Sequence, residues 1–367
     1  MTVSPNMSQA LSLAARAGHR TSPNPMVGAV IVRGNQVAGE GYHRRAGGAH
    51  AEVLALRDAG ERARGGTMYV TLEPCAHQGR TGPCADAIIA AGVAEVVVAM
   101  RDPDPRVSGR GMARLSAAGV RVRLGDGARE AERLNHRWLS ARRQRRPFLA
   151  LKYAASLDGK IATSEGSSTW ITGPAARAEA HRLRAAYDAV AVGAGTVIKD
   201  DPQLTARVAG ERPASRQPLR VVVDGRLRIP PGARVLDPAR PGRALVVTTP
   251  EAFERRGARF HRRGVDVRTI ATSAGGRIAA VDVLRLLAAE GIASVLVEGG
   301  GDLSWSMVEG GVVDQVYAFV APRILGGRDA PTPVDGEGVK RLADAVKLEF
   351  VASRRLGADI LLEAVAA

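Results

Sequence analysis

The sequence predicts two α/β domains, because apolar strand-like runs alternate with helix-like segments along nearly the whole chain. A length of 367 residues exceeds the usual size of a single hydrophobic core, which also predicts more than one domain. The basic stretch 142–146, followed by Pro147, provides the best boundary, since solvated charge and a proline suit a linker better than a core element. We therefore predict one domain over residues 1–146 and a second over residues 147–367.

The first domain is predicted to be a three-layer α/β unit. An amphipathic helix comes first, and a Gly34-Asn35 turn joins the first two strands. The predicted strands are 27–32, 36–41, 67–72, 95–100 and 120–124. The predicted helices are 8–17, 49–63, 83–91 and 109–118.

The second domain is predicted to contain a mostly parallel sheet. Its buried strands appear as short, continuous apolar runs with helices between several of them. The predicted strands of this series are 148–153, 189–192, 219–223, 244–248, 265–269 and 294–297. A strand at 315–321 and a final pair near 348–352 and 359–362 predict an antiparallel edge.

The composition narrows the class of protein. Hydrophobic residues make up 45% of a chain with a formal net charge of +15, yet only five of its 52 basic residues are lysines. Because the arginines are scattered rather than clustered, we favour a basic surface that attracts small phosphorylated substrates over a nucleic-acid interface. No apolar run approaches the roughly 20 residues of a membrane span, and no secretory leader is evident. We expect a cytoplasmic protein in which the cysteines stay reduced.

Both cysteines of the chain belong to one metal-binding pattern. His50 precedes Glu52 by two residues, and Cys75 and Cys84 each follow a proline. A histidine and two thiolates give zinc three ligands and leave an open position, which is typical of a catalytic zinc and not of a structural one. His50 and Glu52 would diverge by about 200° on a helix, so Glu52 would lie near the open position without binding the metal.

This ligand set suits hydrolytic deamination. Zinc lowers the pKa of its bound water toward 7, and Glu52 can carry a proton from that water to the substrate ring and to the leaving ammonia. The zinc nucleobase deaminases share the His-x-Glu and Pro-Cys signature, although here eight residues separate Cys75 from Cys84 instead of two. Alternatives are unrelated core residues, or a closed structural zinc with His43 or His77 as the fourth ligand.

Three segments of the first domain closely resemble the pyrimidine deaminase of riboflavin biosynthesis. They are residues 24–30 (NPMVGAV), 41–52 (GYHRRAGGAHAE) and 73–84 (EPCAHQGRTGPC). The resemblance implies a cytidine-deaminase-like α/β/α fold in which Glu52 shuttles protons and one zinc ion is bound. It further implies that Asn24 and His43 position the pyrimidine and that His77 lies in a substrate-side loop.

Four segments of the second domain together resemble the reductase of the same pathway. They are residues 152–162 (KYAASLDGKIA), 170–173 (WITG), 195–207 (GTVIKDDPQLTAR) and 297–303 (VEGGGDL). The resemblance implies a fold similar to dihydrofolate reductase and the use of NADPH. The glycine run alone is weak evidence for nucleotide binding, since it lacks the G-x-G-x-x-G pattern. Backbone N–H groups at the start of a helix nevertheless form an anion site.

The same resemblance assigns contact residues. Nucleotide contacts are expected at Ala154, Trp170, Thr172, Thr196, Asp200, Gly300, Gly301, Asp302 and Leu303. Substrate contacts are expected at Ser168, Arg184, Leu204, Arg207 and Glu298. An arginine fork grips phosphate in a bidentate manner, which suits Arg184 and Arg207. Other interpretations stay open: Trp170 as a packing residue, Lys152 as an edge charge or a cofactor contact, and His19, His136, His181 and His261 as solvated or capping residues.

The sequence is thus interpreted as a fused deaminase-reductase of riboflavin biosynthesis that acts on phosphorylated pyrimidines. We expect no nucleic-acid or membrane partner, and we expect a homo-oligomer. One alternative is a zinc deaminase of RNA or free nucleobases with a non-catalytic second domain. Another is a basic RNA-binding protein with a structural zinc, although aromatic residues at 4% are few for base stacking.

Overall fold

The computed structural model describes residues 2–76, 82–105, 107–208, 212–272 and 277–367. The chain forms two compact units, residues 1–145 and residues 146–367. Within the described residues, no helix is long and apolar enough to cross a membrane.

The first unit is built on a five-stranded sheet in the order β2-β1-β3-β4-β5. The strands are β1 (Gly28–Arg33), β2 (Gln36–Tyr42), β3 (Thr67–Val70), β4 (Glu95–Val98) and β5 (Arg121–Leu124). β1 pairs antiparallel with β2 and β3, whereas β3, β4 and β5 run parallel. The carboxyl ends of β3 and β4 therefore meet at one edge, where ligands bind in α/β sheets.

Within the described part of this unit, six helices accompany the sheet. They are α1 (Pro5–Ala17), α2 (Ala51–Ala59), α3 (Cys84–Ala90), α4 (Arg110–Ala117), α5 (Ala128–Leu134) and α6 (His136–Gln144). The Ser4 hydroxyl accepts a hydrogen bond from the Met7 amide and caps α1, with Pro5 at the first helical position. α2 is shorter than predicted because Gly60, at φ 55°, ends it, and a 3₁₀ turn, Gly60–Ala63, follows.

The prediction that the whole basic stretch 142–146 is a linker is wrong. Arg142 and Arg143 form the last turn of α6, which ends at Gln144. Arginine is a good helix former, and its charge complements the carbonyl end of the helix dipole, so basic residues are compatible with this position. The division between the two units falls between Arg145 and Arg146.

The second unit contains a nine-stranded sheet in the order β10-β9-β8-β7-β11-β6-β12-β14-β13. The strands are β6 (Phe148–Ser156), β7 (Ala189–Gly193), β8 (Leu219–Val223), β9 (Ala244–Thr248), β10 (Asp266–Thr269), β11 (Ser294–Glu298), β12 (Gln315–Ala321), β13 (Leu348–Leu356) and β14 (Asp359–Ala366). The predicted antiparallel edge is confirmed: β14 runs antiparallel to both β12 and β13, while β12 is parallel to β6.

Helices cover both faces of this sheet and bury two apolar clusters. They are α7 (Pro174–Ala186), α8 (Ala194–Asp200), α9 (Pro250–Arg256), α10 (Ala258–His261), α11 (Ala280–Ala289) and α12 (Gly301–Glu309). α8 and α12 start directly after the carboxyl ends of β7 and β11, which lie next to each other in the sheet. This geometry aims two helix N-termini at the same edge of the sheet.

Candidate functional sites

The predicted metal ligands converge in the first unit. His50 is the N-cap of α2, and Cys84 is the first residue of α3, with Pro83 as its N-cap. The Nδ1 atom of His50 lies 3.2 Å from the Sγ atom of Cys84 and 3.7 Å from the Sγ atom of Cys75. The three ligating atoms all lie within 4.8 Å of one another.

This arrangement fits zinc. In a tetrahedral site with the usual bond lengths, a nitrogen and a sulfur ligand lie about 3.5 Å apart. The two measured N–S distances, 3.2 and 3.7 Å, bracket that value. Among the described residues, the metal-binding group contains only these three members. The donor set therefore leaves a zinc ion a position for water, as in catalytic zinc sites.

The pKa values of the Cys75 and Cys84 thiols shift in opposite directions because the two groups are close together. The hydrogen bond with Cys84 is the main cause that lowers the pKa of Cys75 to about 4, with further help from His50 and from the Cys84 amide. The same hydrogen bond, together with burial and the nearby Glu52, raises the pKa of Cys84. If both thiols were ionised beside Glu52, their negative charge would need a partner, and a divalent cation bound to them would supply it.

Glu52 lies beside the ligands without belonging to the metal-binding group. Its side chain is buried, and burial raises the pKa of its carboxyl, although His50 opposes the shift. The cavity at this site is lined by Glu52 together with His50 and Cys75. A buried carboxyl with a raised pKa next to the ligands is suited to carry a proton during the reaction.

Asn24 and His43 line the same cavity. The His43 ring donates from Nδ1 to the carbonyl oxygen of Ala49 at 3.0 Å and accepts at Nε2 from the Asn24 amide at 3.2 Å. Burial is the main cause that lowers the pKa of His43, so the ring stays neutral. With both ring nitrogens occupied, His43 is not a fourth metal ligand in this geometry. The predicted substrate contact His77 lies outside the described residues.

Sequence reasoning missed the residues that complete the wall of this cavity. Trp138 and Arg142 from α6 line it, as do Asp102 and Asp104 from the loop after β4. The helix α6 itself was not predicted, and the two aspartates resemble ordinary turn residues in the sequence. Only the fold brings these side chains to the zinc ligands.

Glu73 has a structural role that the sequence analysis also missed. Its buried carboxylate accepts backbone N–H groups of Asp102 and Gly109 at one oxygen and of Gly111 and Met112 at the other, at 3.0 to 3.4 Å. These groups include the first turn of α4, whose N–H groups have no partner within the helix. Glu73 thus ties the loop after β4 to the segment that carries Cys75.

In the second unit, the glycine run forms the turn between β11 and α12. Gly299 and Gly300 have φ values of 71° and 75°, which L side chains rarely adopt. A Cβ atom at Gly300 would lie 3.1 Å from the Oγ1 atom of Thr196, the predicted nucleotide contact at the start of α8. The bare backbone beside a hydroxyl and two helix N-termini fits a dinucleotide phosphate.

Trp170 is not a packing residue, because 63% of it is exposed. The guanidinium of Arg177 stacks over its ring at 4.5 Å and donates to the carbonyl oxygen of Thr172 at 2.8 Å. Trp170 and Thr172, both predicted nucleotide contacts, are thus linked through Arg177 on α7. No local sequence pattern predicts this link.

A buried ion cluster lies at the carboxyl end of β11. Arg184 donates from Nε and Nη2 to the two carboxylate oxygens of Glu298 at 2.7 and 2.9 Å. Lys152, opposite Glu298 in the parallel register of β6 and β11, approaches it at 3.5 Å. Burial alone would raise the pKa of Glu298, but Arg184 and Lys152 lower it to about 2.

This cluster changes two expectations. The arginine fork of Arg184, which we expected to face a phosphate, is occupied by Glu298. Lys152 lies on the central strand β6, between β11 and β12, so its interpretation as an edge charge is wrong. The predicted substrate contacts of Arg184 and Glu298 stay predictions.

Arg207 is held next to this cluster by a histidine. Its Nε and Nη2 atoms lie 3.2 and 3.0 Å from the Nε2 atom of His181, which projects from α7. The Nδ1 atom of His181 lies 3.2 Å from the carbonyl oxygen of Thr205. The interpretation of His181 as a solvated or capping residue is therefore wrong.

The other predicted contacts lie on β6, α8 and α12 of the second unit or in the segments that connect its elements. Ala154 lies on β6, and Ser168 lies in the segment between β6 and α7. Leu204 is buried with a φ of 55°, a strained value for a non-glycine residue. Asp200 ends α8, and Gly301, Asp302 and Leu303 form the first turn of α12.

The fold and the two sites define a zinc-dependent deaminase joined to a nucleotide-dependent reductase. Residues 2–100 match the family described as "Cytidine and deoxycytidylate deaminase zinc-binding region", and residues 147–362 match "RibD C-terminal domain". The chain belongs to the RibD family of riboflavin biosynthesis proteins, and it is a bifunctional deaminase and reductase that uses zinc and NADPH.

Relatives cover nearly the whole chain. The riboflavin biosynthesis protein RibD of Escherichia coli is 42% identical over 371 residues, with 98% of each chain covered. The RibD of Bacillus amyloliquefaciens is 42% identical over 98% of this chain and 95% of its own. One crystal form of Acinetobacter baumannii RibD has a TM-score of 0.87 and 39% identity, covering 99% of this chain and 98% of its own.

The name of a further relative of known structure states both activities. A diaminohydroxyphosphoribosylaminopyrimidine deaminase/5-amino-6-(5-phosphoribosylamino)uracil reductase from Thermotoga maritima has a TM-score of 0.83 and 36% identity, covering 99% of this chain and 98% of its own. The reductase family match favours the bifunctional enzyme over both alternatives, the deaminase with a non-catalytic module and the RNA-binding protein.

Proposed function

We propose that the chain catalyses two successive steps of riboflavin biosynthesis. The first unit hydrolyses the ring amino group of 2,5-diamino-6-(5-phosphoribosylamino)pyrimidin-4(3H)-one and releases ammonia. The second unit reduces the ribosyl group of the product, 5-amino-6-(5-phosphoribosylamino)uracil, to ribityl with a hydride from NADPH. The observation that carries this proposal is the convergence of His50, Cys75 and Cys84 beside the buried Glu52.

For deamination, the residues of the first unit have separate roles. A zinc ion held by the three ligands supplies Lewis acidity that activates water at neutral pH. Glu52 accepts one proton from the attacking water and delivers it to the ring nitrogen. It then takes the second proton, from the hydroxyl group newly added to the ring carbon, and passes it to the amino group, which leaves as ammonia while the carbonyl forms. The neutral His43 and the Asn24 amide hold the pyrimidine so that its amino-bearing carbon faces the water. Water is consumed, and a ring carbonyl replaces the amine.

For reduction, the second unit binds the dinucleotide and the sugar phosphate separately. The turn at Gly300 and the Thr196 hydroxyl support a nucleotide phosphate site, and Trp170 supplies an exposed ring for the nucleotide. Arg207, next to the ion cluster of Arg184 and Glu298, is proposed to bind the substrate phosphate. The reacting carbon would then be held near the nicotinamide.

The domain limits 1–146 and 147–367 are proposed as the deaminase and reductase domains. The two compact units and the limits of the family matches support this division. We further propose a cytoplasmic protein, because two cysteine thiolates serve zinc best in a reducing compartment. Phosphorylated pyrimidines are its proposed partners, with no nucleic acid or membrane.

We also propose a homo-oligomer. β13 is an edge strand of the sheet, and Phe350 and Val351 on it are 73% and 53% exposed. Exposed apolar side chains along an unpaired edge favour association with another copy. Light scattering on the purified chain tests this point, and a monomeric mass would contradict it.

A direct assay tests the two activities. The purified, zinc-loaded protein is mixed with the diaminopyrimidine substrate and NADPH, and ammonia and NADPH absorbance are followed together. We expect ammonia release to precede NADPH oxidation and the two amounts to become equal at completion. Ammonia release without NADPH oxidation would contradict the proposed reductase activity. The absence of both signals would contradict both proposed activities.

A further inference from the structure

Trp170 is an exposed aromatic residue that is nevertheless held at two points. The guanidinium of Arg177, on α7, lies 4.5 Å from the centre of its ring. The Nη1 atom of Arg323, in the segment after β12, donates to its carbonyl oxygen at 3.2 Å. An exposed side chain without such contacts exchanges between rotamers within nanoseconds. The contact at the carbonyl group restrains the backbone of Trp170, and the contact at the ring restrains its rotamer.

Arg177 occupies one face of the tryptophan ring. Its guanidinium is itself fixed, because Nη1 donates to the carbonyl oxygen of Thr172 at 2.8 Å. A cation is attracted to the negative face of an indole, and the opposite face stays available for stacking. Since 63% of Trp170 is exposed, a ligand can reach that opposite face. The adenine and the nicotinamide of a dinucleotide are flat rings that can stack there.

The segment that carries Arg323 is fastened to the loop after β6. β6 and β12 are neighbouring parallel strands, so the segments after them leave the sheet at the same edge. The Leu157 amide donates to the carbonyl oxygen of Arg323 at 2.7 Å. The Asp158 carboxylate accepts the amides of Leu325 and Gly326 at 3.1 and 2.7 Å. The guanidinium that holds the tryptophan carbonyl group therefore projects from an anchored segment.

We propose that Arg177 and Arg323 are positioning residues that fix Trp170, so that the exposed face of its ring stacks against an aromatic ring of NADPH. This inference rests on the proposed reductase function and on the predicted nucleotide contact of Trp170. Neither arginine contacts the nucleotide in this account. They increase the fraction of molecules in which the ring has the binding orientation, and the apparent affinity for a ligand falls in proportion to that fraction. Loss of either arginine should therefore weaken NADPH binding and leave hydride transfer unchanged.

Substitutions of similar length test the two contacts separately. Arg177→Met keeps an unbranched apolar side chain but has neither a charge nor a donor, whereas Arg177→Lys keeps a cation that can reach the ring. Arg323→Met removes the hydrogen bond from the guanidinium to the Trp170 carbonyl oxygen. Trp170→Ala removes the ring itself. Arg328→Met, at an exposed arginine in the same segment as Arg323, is the matched control.

Two measurements on the full chain test the inference. The dissociation constant of NADPH is measured by its fluorescence without a pyrimidine, and reductase kinetics are measured with NADPH varied at saturating 5-amino-6-(5-phosphoribosylamino)uracil. For Arg177→Met and for Arg323→Met, we expect the dissociation constant and the KM for NADPH to rise about fivefold, the effect of losing one exposed cation–π pair or hydrogen bond. The kcat and the KM for the pyrimidine should stay near wild type.

The other variants complete the expected pattern. Arg177→Lys should recover most of the loss, Trp170→Ala should bind NADPH at least as weakly as Arg177→Met, and Arg328→Met should behave as wild type. If Arg177 acts through the tryptophan ring, the double variant Trp170→Ala/Arg177→Met should bind NADPH no more weakly than Trp170→Ala.

The possible failures are distinguishable. Unchanged NADPH binding in either arginine variant, with weakened binding in Trp170→Ala, would overturn the role of that arginine and leave the proposed function intact. Unchanged NADPH binding in Trp170→Ala would contradict the stacking contact and with it the whole inference. Equal increases in the KM values for NADPH and for the pyrimidine would indicate a merely structural role and would also refute it. If the wild type binds NADPH but does not oxidise it, the proposed function fails, and the dissociation constants alone decide the inference.

Discussion

Glu52 in the first unit and His181 in the second are single residues whose protonation states are set by their surroundings. Glu52 is buried beside the zinc ligands, where a carboxylate can move protons without binding metal. His181 lies between the carbonyl group of Thr205 and the guanidinium of Arg207, and burial is the main cause that lowers its pKa to about 4. In both cases the protonation state is set by the neighbouring residues and by burial.

Glu52→Gln is expected to lower ammonia release by about a thousandfold, since a positioned acid-base group contributes 10²–10⁴-fold. Zinc content and reduction of the deaminated intermediate should not change, because no metal ligand or second-unit residue is altered. Ammonia assays and metal analysis check both points. Glu61→Gln, an exposed glutamate just after α2, is the control and should behave as wild type. Full ammonia release by Glu52→Gln would exclude the proton shuttle.

The neutral state of His181 also predicts a pH effect on stability. Its pKa in the folded chain, about 4, is below the ordinary value of 6.5, so the unfolded chain binds the proton more tightly between these values. The stability from this group is therefore complete above pH 6.5 and is lost as the pH falls toward 4. Denaturant unfolding of wild type and His181→Gln should show this loss in the wild type only. Parallel pH profiles would contradict the assignment.

At the scale of elements, the helix α4 is tied to the zinc segment. The Glu73 carboxylate collects four backbone N–H groups from the loop after β4 and from the start of α4. In addition, Gly111 on α4 approaches the backbone of Pro74 so closely that a Cβ atom would collide with its carbonyl oxygen. The position of Cys75 therefore depends on α4.

Glu73→Ala is expected to cost about 1–3 kcal/mol of unfolding free energy, because it leaves buried N–H groups without partners. Deamination should also weaken, since Asp102 and Asp104 of the untied loop line the cavity. Asp86→Ala removes an exposed ion pair with Arg114 on the same α4 and should cost under about 1 kcal/mol. Urea unfolding measures both costs, and equal values would contradict the capping role.

Gly111→Ala should weaken zinc binding without altering any ligand, because the added methyl group pushes Pro74 and hence Cys75. Gly82→Ala is the matched control: Gly82 lies two residues before Cys84, but a Cβ atom there meets nothing within 4 Å. Competition with a chelator should show lower zinc affinity for Gly111→Ala alone. Identical affinities would mean that α4 does not support the metal segment.

The sequence predicted elements better than their contacts. Buried parallel strands leave continuous apolar runs, so the central strands were found within a few residues. α5 and α6 were missed because their polar faces and dense arginines resemble a linker. Glu73, Trp138 and His181 were missed for another reason: their partners are distant in sequence, and no local pattern reports a long-range hydrogen bond or the wall of a cavity.

On the scale of the whole molecule, each unit has its own core and its own site. The product of the deaminase is the substrate of the reductase, and both carry a phosphate in the proposed function. A net charge of +15 would assist the capture of each phosphorylated compound, with an effect that falls as salt increases. The central claim is therefore that one chain performs two reactions in a fixed order, of which only the first requires zinc.

Zinc removal during the coupled reaction tests this claim most directly. The protein, the diaminopyrimidine substrate and NADPH are mixed after treatment with a chelator, and NADPH absorbance is followed. We expect no NADPH oxidation until the deaminated intermediate is added, when oxidation should start at the untreated rate. Added zinc should restore oxidation with the diaminopyrimidine alone. Unchanged oxidation in the zinc-free protein, or no response to the intermediate, would contradict the account.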